Sequence, residues 1–131
     1  MKSQLKAVEN FHVTFGQKIN SYPTLLNVDE YLLRHRLMEE ENSEYKEACE
    51  NQSIVGIADA LGDQLYILCG TILKHGLQHV IEDVFDEIQA SNMSKLGPDG
   101  KPLLREDSKI LKGPNYFKPD LESIINKALK K

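Results

Sequence analysis

SIVGIADALGDQLYILCGTIL, residues 53–73, decides how this chain folds. Between Ile54 and Leu73 only Asp59 and Asp63 carry charge. A run of that length, apolar on nearly every side, reads as an interior helix of a bundle. The two aspartates are four apart, so they stack on one face. A buried carboxylate without a partner is costly and must be protonated, paired or bound to a cation. Just upstream, residues 37–48, LMEEENSEYKEA, hold a second acidic cluster: Glu40, Glu41 and Glu44. Glu41 shares a helical face with Leu37, Met38, Tyr45 and Ala48, and Glu44 follows one turn after Glu40. These carboxylates therefore edge toward the core side of their helix. Two acidic clusters on neighbouring helices suggest hard cations between them, and hard cations suggest phosphate chemistry.

Working outward, apolar positions at Leu5, Val8, Phe11, His12 and Phe15 predict a first helix from Ser3 to about Asn20. Pro23 marks a connection. Asn27 followed by Glu30 is a capping pair that starts a helix running to about Cys49. Tyr31, His35, Met38, Tyr45 and Cys49 lie along one stripe of it. Ser53 caps a third helix reaching His75; Lys74 and His75 suit its negative end, and Gly76 suits the residue beyond. Gly62 thins that helix and can let a ligand or another helix approach. Val55, Tyr66 and Gly70 continue the aspartate stripe. A fourth helix is expected from His79 to about Ser94, with Val80, Val84, Phe85 and Ile88 facing inward. Lys95 to Lys118 is rich in Gly and Pro, with GPDG and KGPN turns; it reads as an irregular arm with a short hairpin. Asp120 then caps a short last helix through Leu129. The expected fold is all-α, a bundle of four main helices with an irregular C-terminal arm, as one domain over residues 1–131.

Composition narrows the function. The net charge of −4 advertises no field for nucleic acid. Two cysteines, Cys49 and Cys69, read as reduced core thiols of a cytoplasmic protein. MKSQLKAVENFHVTF contains no apolar run of signal-peptide type. Ile54–Leu73 is long enough for a bilayer, but two aspartates one turn apart near its middle argue against a membrane span.

A polyphosphate site needs a few rigid carboxylates for magnesium, with positions left open for phosphate oxygens. A further carboxylate can take a proton from the attacking water. Positive side chains are needed around the outer oxygens, and the arm offers Lys95, Lys109 and Lys112. Asn92 is a polar partner for a ligand oxygen, and Tyr116 can pack on a sugar or base. Phe11 and Phe15 offer apolar surface for a base, although such residues are more often core. Glu39, Glu47 and Glu50 read as a solvated face, and Lys101, Arg105 and Lys118 as surface charge. His12, His35, His75 and His79 have no readable catalytic partner and are assigned no role.

EExxE at Glu40, Glu41 and Glu44, followed by LGDxLY around Asp63, resembles the all-α nucleoside triphosphate pyrophosphohydrolases, the MazG-like superfamily. DEIQASNMSKLGPDGKPLLREDSKILKGPNYFKPDL, residues 86–121, is similar to the phosphoribosyl-ATP pyrophosphohydrolase-like branch in particular. The resemblance spans Phe11 to Leu121. It implies magnesium-dependent cleavage between the α and β phosphates of a nucleoside triphosphate, with manganese as an alternative ion. It implies Glu41, Glu44 and Asp63 as metal ligands and Glu40 as the carboxylate that orients or deprotonates the attacking water. It also implies Asn92 and Lys95 near the phosphates, and Lys109, Lys112 and Tyr116 in a tail that closes over the substrate. The superfamily's second motif is usually ExxD, whereas Ala60 stands three before Asp63 here. Asp59, four before, falls on the same side of the helix and can stand in for the missing ligand. A homodimer or homotetramer is expected, since such helices need a partner surface.

Two other readings remain open from sequence. A carboxylate-bridged di-metal bundle wants Glu-x-x-His on each of two helices, and only Glu9–His12 has that spacing. A non-catalytic helical binding module with a decayed site predicts no magnesium-dependent release of pyrophosphate.

Overall fold

The computed structural model describes residues 1–130. They form five helices: α1 (Lys2–Thr14), α2 (Val28–Glu50), α3 (Ile54–Lys74), α4 (Ile81–Met93) and α5 (Leu121–Leu129). The fold is all-α, and the irregular arm falls between α4 and α5 as expected. The chain divides into two compact units, Met1–His79 and the residues from Val80 onward.

In the first unit α2 and α3 make a tight antiparallel hairpin. Asn27 caps α2 through its side chain, which accepts from the Glu30 N–H at 2.9 Å. At the far end Gln52 takes φ 54°, a left-handed conformation that favours glycine. It lets the Gln52 N–H reach Cys49 O and the Ser53 N–H reach Ala48 O, both at 3.0 Å, closing α2 in a Schellman turn. Ser53 then starts α3, its hydroxyl accepting from the Gly56 N–H at 2.9 Å. A Cβ at Gly56 would lie 3.1 Å from Ala48 Cβ, so glycine lets the two helices converge there.

The other end of the hairpin is held by a buried arginine. Arg34 is 6 % exposed. Its Nε donates to Thr71 Oγ1 at 3.1 Å and its Nη2 to Ile67 O at 2.9 Å. His12 of α1, 3 % exposed, meets it over Gly70, where a Cβ would come 2.7 Å from Arg34 Nη2 and 3.1 Å from His12 Nε2. Burial lowers the pKa of both groups, and His12 is lowered further by the charges of Arg34 and Lys74. All three influences disfavour the imidazolium form of His12. Leu5, Val8, Ala48, Ala60, Cys69, Ile72 and Leu73 form the surrounding core.

Helix α1 stops at Thr14, short of the expected Asn20. Gly16 (φ 69°) turns the chain, with the Gly16 N–H on Val13 O and the Gln17 N–H on His12 O. The residues freed from the helix satisfy the end of α3 instead. Asn20 donates its backbone N–H to Leu73 O and its side-chain amide to Lys74 O, and the Thr24 N–H donates to His75 O. Gly76 (φ 67°) ends α3 as expected, and any Cβ there would overlap the Tyr22 carbonyl.

Within the first unit burial departs from the sequence expectation on α2 and α3. The inward seam of α2 is Arg34, Glu41 and Ala48, seven residues apart, while Tyr31, His35, Tyr45 and Cys49 of the expected stripe are exposed. Cys49 is therefore a surface thiol, and only Cys69 is a core one. One side of α3, including Leu61, Leu65 and Leu68, is exposed within this chain. Within the first unit this almost wholly apolar helix is covered on its α1 and α2 sides. Gly62 faces open space; the close approaches are at Gly56 and Gly70.

In the second unit α4 begins at Ile81, not His79, and Phe85 and Ile88 are exposed within this chain. Periodicity places a helix but not its ends. Ser91 Oγ donates to Phe117 O at 2.8 Å, and the Phe117 N–H donates to Ser94 Oγ at 3.1 Å. These serines tie the NYF stretch to the end of α4. Gly113 donates its N–H to Lys95 O at 3.0 Å. Its missing Cβ would otherwise overlap the Leu96 carbonyl. The expected hairpin is an antiparallel bridge between Leu104 and Ile110. Asp120 caps α5 through the Ser123 N–H at 3.1 Å. No helix of the described residues is long and apolar enough to cross a membrane.

Candidate metal centre

The two ends of the α2–α3 hairpin are pinned by Ser53 with Gly56 and by Arg34 with Gly70. Between those pins the inward face of α2 presents Glu41 and Glu44, and the facing turn of α3 presents Asp63. One carboxylate oxygen from each lies within 4.8 Å of the others. Glu41 and Asp63 are half-buried and Glu44 is exposed.

The group is not at electrostatic rest. Glu41 Oε2 is buried and has no hydrogen-bond partner. Desolvation first, then a hydrogen bond shared with Glu44, then the charges of Glu44, Asp63 and Asp59 push the Glu41 pKa up to about 7. Like charges crowded at a partly desolvated site cannot all ionise comfortably. A cation relieves each cause at once: it neutralises the repulsion and gives the orphaned oxygen a partner. The donors are all carboxylate oxygens, which suits a hard ion such as Mg2+ or Mn2+. The residues therefore fit a divalent cation.

Asp59 stands outside this three-oxygen group and is exposed, although its charge reaches Glu41. Glu40 is exposed on α2, next to Glu41 in sequence and off the seam. Asn92, Lys95, Lys109, Lys112 and Tyr116 all belong to the second unit. There Lys112 Nζ lies 4.8 Å above the Tyr116 ring, a cation–π contact. Lys109 donates its N–H to Asp107 in the hairpin turn. Asn92 is exposed at the end of α4.

Sequence reasoning passed over Arg34, Ser91 and Ser94. A signal existed for the first: Arg34, Glu41 and Ala48 repeat every seven residues, which marks one seam of a helix packed along a neighbour. A positive residue on that seam could have been singled out. Nothing in the sequence marks the two serines as ties for the arm, because their partners are backbone atoms 23 and 26 residues away.

Comparison with known proteins agrees with this geometry. The sequence profile described as phosphoribosyl-ATP pyrophosphohydrolase matches residues 8–92, which include both acidic clusters. The crystal structure of a protein from Exiguobacterium sp. 255-15, provisionally assigned as an NTP pyrophosphohydrolase, superposes with a TM-score of 0.56. It is 26% identical, and the alignment covers 97% of this chain and 96% of that one. No curated protein matches the chain. With five helices, a carboxylate group across the α2–α3 seam and a profile match over most of its length, the chain belongs to the phosphoribosyl-ATP pyrophosphohydrolase family of the MazG-like nucleoside triphosphate pyrophosphohydrolase superfamily.

Proposed function

We propose that this protein is a magnesium-dependent nucleoside triphosphate pyrophosphohydrolase, with manganese able to substitute. It hydrolyses the α–β anhydride of a nucleotide to a nucleoside monophosphate and pyrophosphate. The observation that carries the reading is the orphaned Glu41 oxygen within a three-carboxylate group on two helices. Glu41, Glu44 and Asp63 would hold the cation, with Asp59 as a further ligand from the next turn of α3. When bound, the ion supplies Lewis-acid stabilisation of phosphate oxygens.

Glu40 accepts a proton from the attacking water. The water oxygen bonds to phosphorus, the bridging P–O bond breaks, and the electron pair leaves with pyrophosphate. Glu40 suits the role of base because it is exposed on α2, next to Glu41 in sequence, where a water can reach its carboxylate. The proposal keeps Asn92, Lys95, Lys109, Lys112 and Tyr116 as substrate contacts on their chemistry: four polar or cationic groups for phosphate and one aromatic ring. The same proposal assigns the protein to the cytoplasm, where such a reaction would meet the nucleotide pool. A homodimer or homotetramer is part of the same reading, supported by the exposed leucines of α3.

The test is a panel of nucleoside triphosphates incubated with Mg2+ or Mn2+ and scored for pyrophosphate. Release from at least one of them, lost on adding EDTA, is the expected outcome. No pyrophosphate from any nucleotide with either ion would remove the enzymatic reading.

A further inference from the structure

The aspartate stripe of α3 continues beyond the carboxylates. Asp59, Asp63, Tyr66 and Gly70 recur along one face of the helix. At Gly70 helix α1 is seated through His12, and one residue earlier in α1 Phe11 meets Tyr66. Their ring centroids are 5.7 Å apart with planes at 87°. Phe15, the residue just beyond the end of α1, lies 4.5 Å from Phe11 at 36°. Three aromatic rings in a row, with Phe11 touching the other two, usually belong to a core. Here they stay open: Phe11 is 38%, Phe15 66% and Tyr66 41% exposed.

We propose that Phe11, Phe15 and Tyr66 form a stacking platform for the nucleobase of the substrate, gripping its face and leaving its hydrogen-bonding edge unread. The proposal rests on the nucleotide-hydrolysing role given above. Its occupant follows from position. Tyr66 is three residues after Asp63, and side chains so spaced are neighbours about 5–6 Å apart at Cβ. A ligand whose phosphates sit at the carboxylates therefore has its nucleoside end beside the rings. The three side chains carry a single polar atom, the Tyr66 hydroxyl, so they supply stacking area and almost no donors or acceptors. Stacking on such a surface tolerates base identity and grows with base size. The platform accordingly favours purines over pyrimidines and treats adenine and guanine alike. A second copy of the chain is the competing occupant. The leucines suited to that contact, Leu61, Leu65 and Leu68, lie on a different stripe of α3, so the aromatic stripe is left for a ligand.

The experiment compares wild type with Phe11→Leu, Phe15→Ala and Tyr66→Leu. It measures KM for ATP, GTP and CTP with magnesium, inhibition by inorganic tripolyphosphate, and sedimentation. In each variant KM for the purine nucleotides should rise by about tenfold, as expected on losing one stacked ring. Inhibition by tripolyphosphate should hold at the wild-type value, since that probe has no base. Unchanged KM values, or a wild-type preference for CTP, would overturn the platform. So would a change of oligomeric state in the variants without a KM effect, because the rings would then be covering a partner copy. A second measurement separates this proposal from the catalytic one. Adenosine monophosphate titrated without metal should shift the ring proton resonances of Phe11, Phe15 and Tyr66, even if no triphosphate is ever hydrolysed. Absence of those shifts in a folded protein would overturn the platform while leaving the hydrolase reading intact.

Discussion

Glu41 concentrates the chemistry of the molecule in one side chain. Its pKa near 7 means that in the metal-free protein it takes up a proton on folding between its ordinary value of 4.5 and about 7. The sign follows from linkage: the folded state binds more protons in that window, so its contribution to stability is full below pH 4.5 and is lost as pH rises to about 7. Thermal melts of the metal-free protein at pH 5 and pH 8 should therefore differ more for wild type than for Glu41→Gln, whose neutral amide does not titrate. If the two proteins show the same pH dependence, the crowding of Glu41 by Glu44, Asp63 and Asp59 is not felt in solution. Glu41→Gln and Asp63→Asn should each lower turnover on the order of a hundredfold or more and weaken Mn2+ binding, read by calorimetry. Circular dichroism should show the helices intact, because neither side chain holds the fold. Near-normal rates in either variant would show that the cation is held elsewhere. The acidic residues were legible in the sequence because carboxylates are conspicuous in so apolar a helix. The orphaned oxygen of Glu41 was not, because its isolation depends on what lies across the seam.

At the level of elements, the α2–α3 hairpin is a positioning device built from turns and two close approaches. Asn27, Ser53 and Asp120 could be read as caps directly, since a cap bonds only two or three residues ahead and its signal is local. The left-handed residue between the helices could not: Gln52 occupies a position that usually belongs to glycine. Gln52→Gly should raise stability by about 0.5–1 kcal/mol, measured in urea, since it removes the cost of a side chain at positive φ. A loss of stability would mean that the Gln52 side chain contributes something its conformation does not reveal. Gly76→Ala should cost well over about 1 kcal/mol in the same assay, because the new methyl must displace the Tyr22 backbone as well as hold a left-handed φ. The length of α1 was misread for a related reason. Gly16 ends the helix, and the residues after it are needed to satisfy the carbonyls of α3, a demand that no local pattern contains.

For the molecule as a whole, the exposed row Leu61, Leu65 and Leu68 is the feature a single chain leaves unexplained by its own packing. The protein should sediment as a dimer or a tetramer, and the double variant Leu65→Glu with Leu68→Glu should sediment as a monomer with helicity retained. A wild-type monomer at assay concentrations would remove the oligomeric part of the proposed function. The amino-acid sequence by itself determined the helical class, the order of the helices, the caps of α2, α3 and α5 and the two acidic clusters. All of these depend on periodicity and on neighbours within a turn. Only the tertiary structure decided which face of α2 is the seam, that Arg34 and His12 close it over Gly70, which three carboxylates converge, and that Phe11 and Phe15 stand open beside Tyr66. Those facts depend on atoms far apart in the chain, and their placement is set by which surfaces meet.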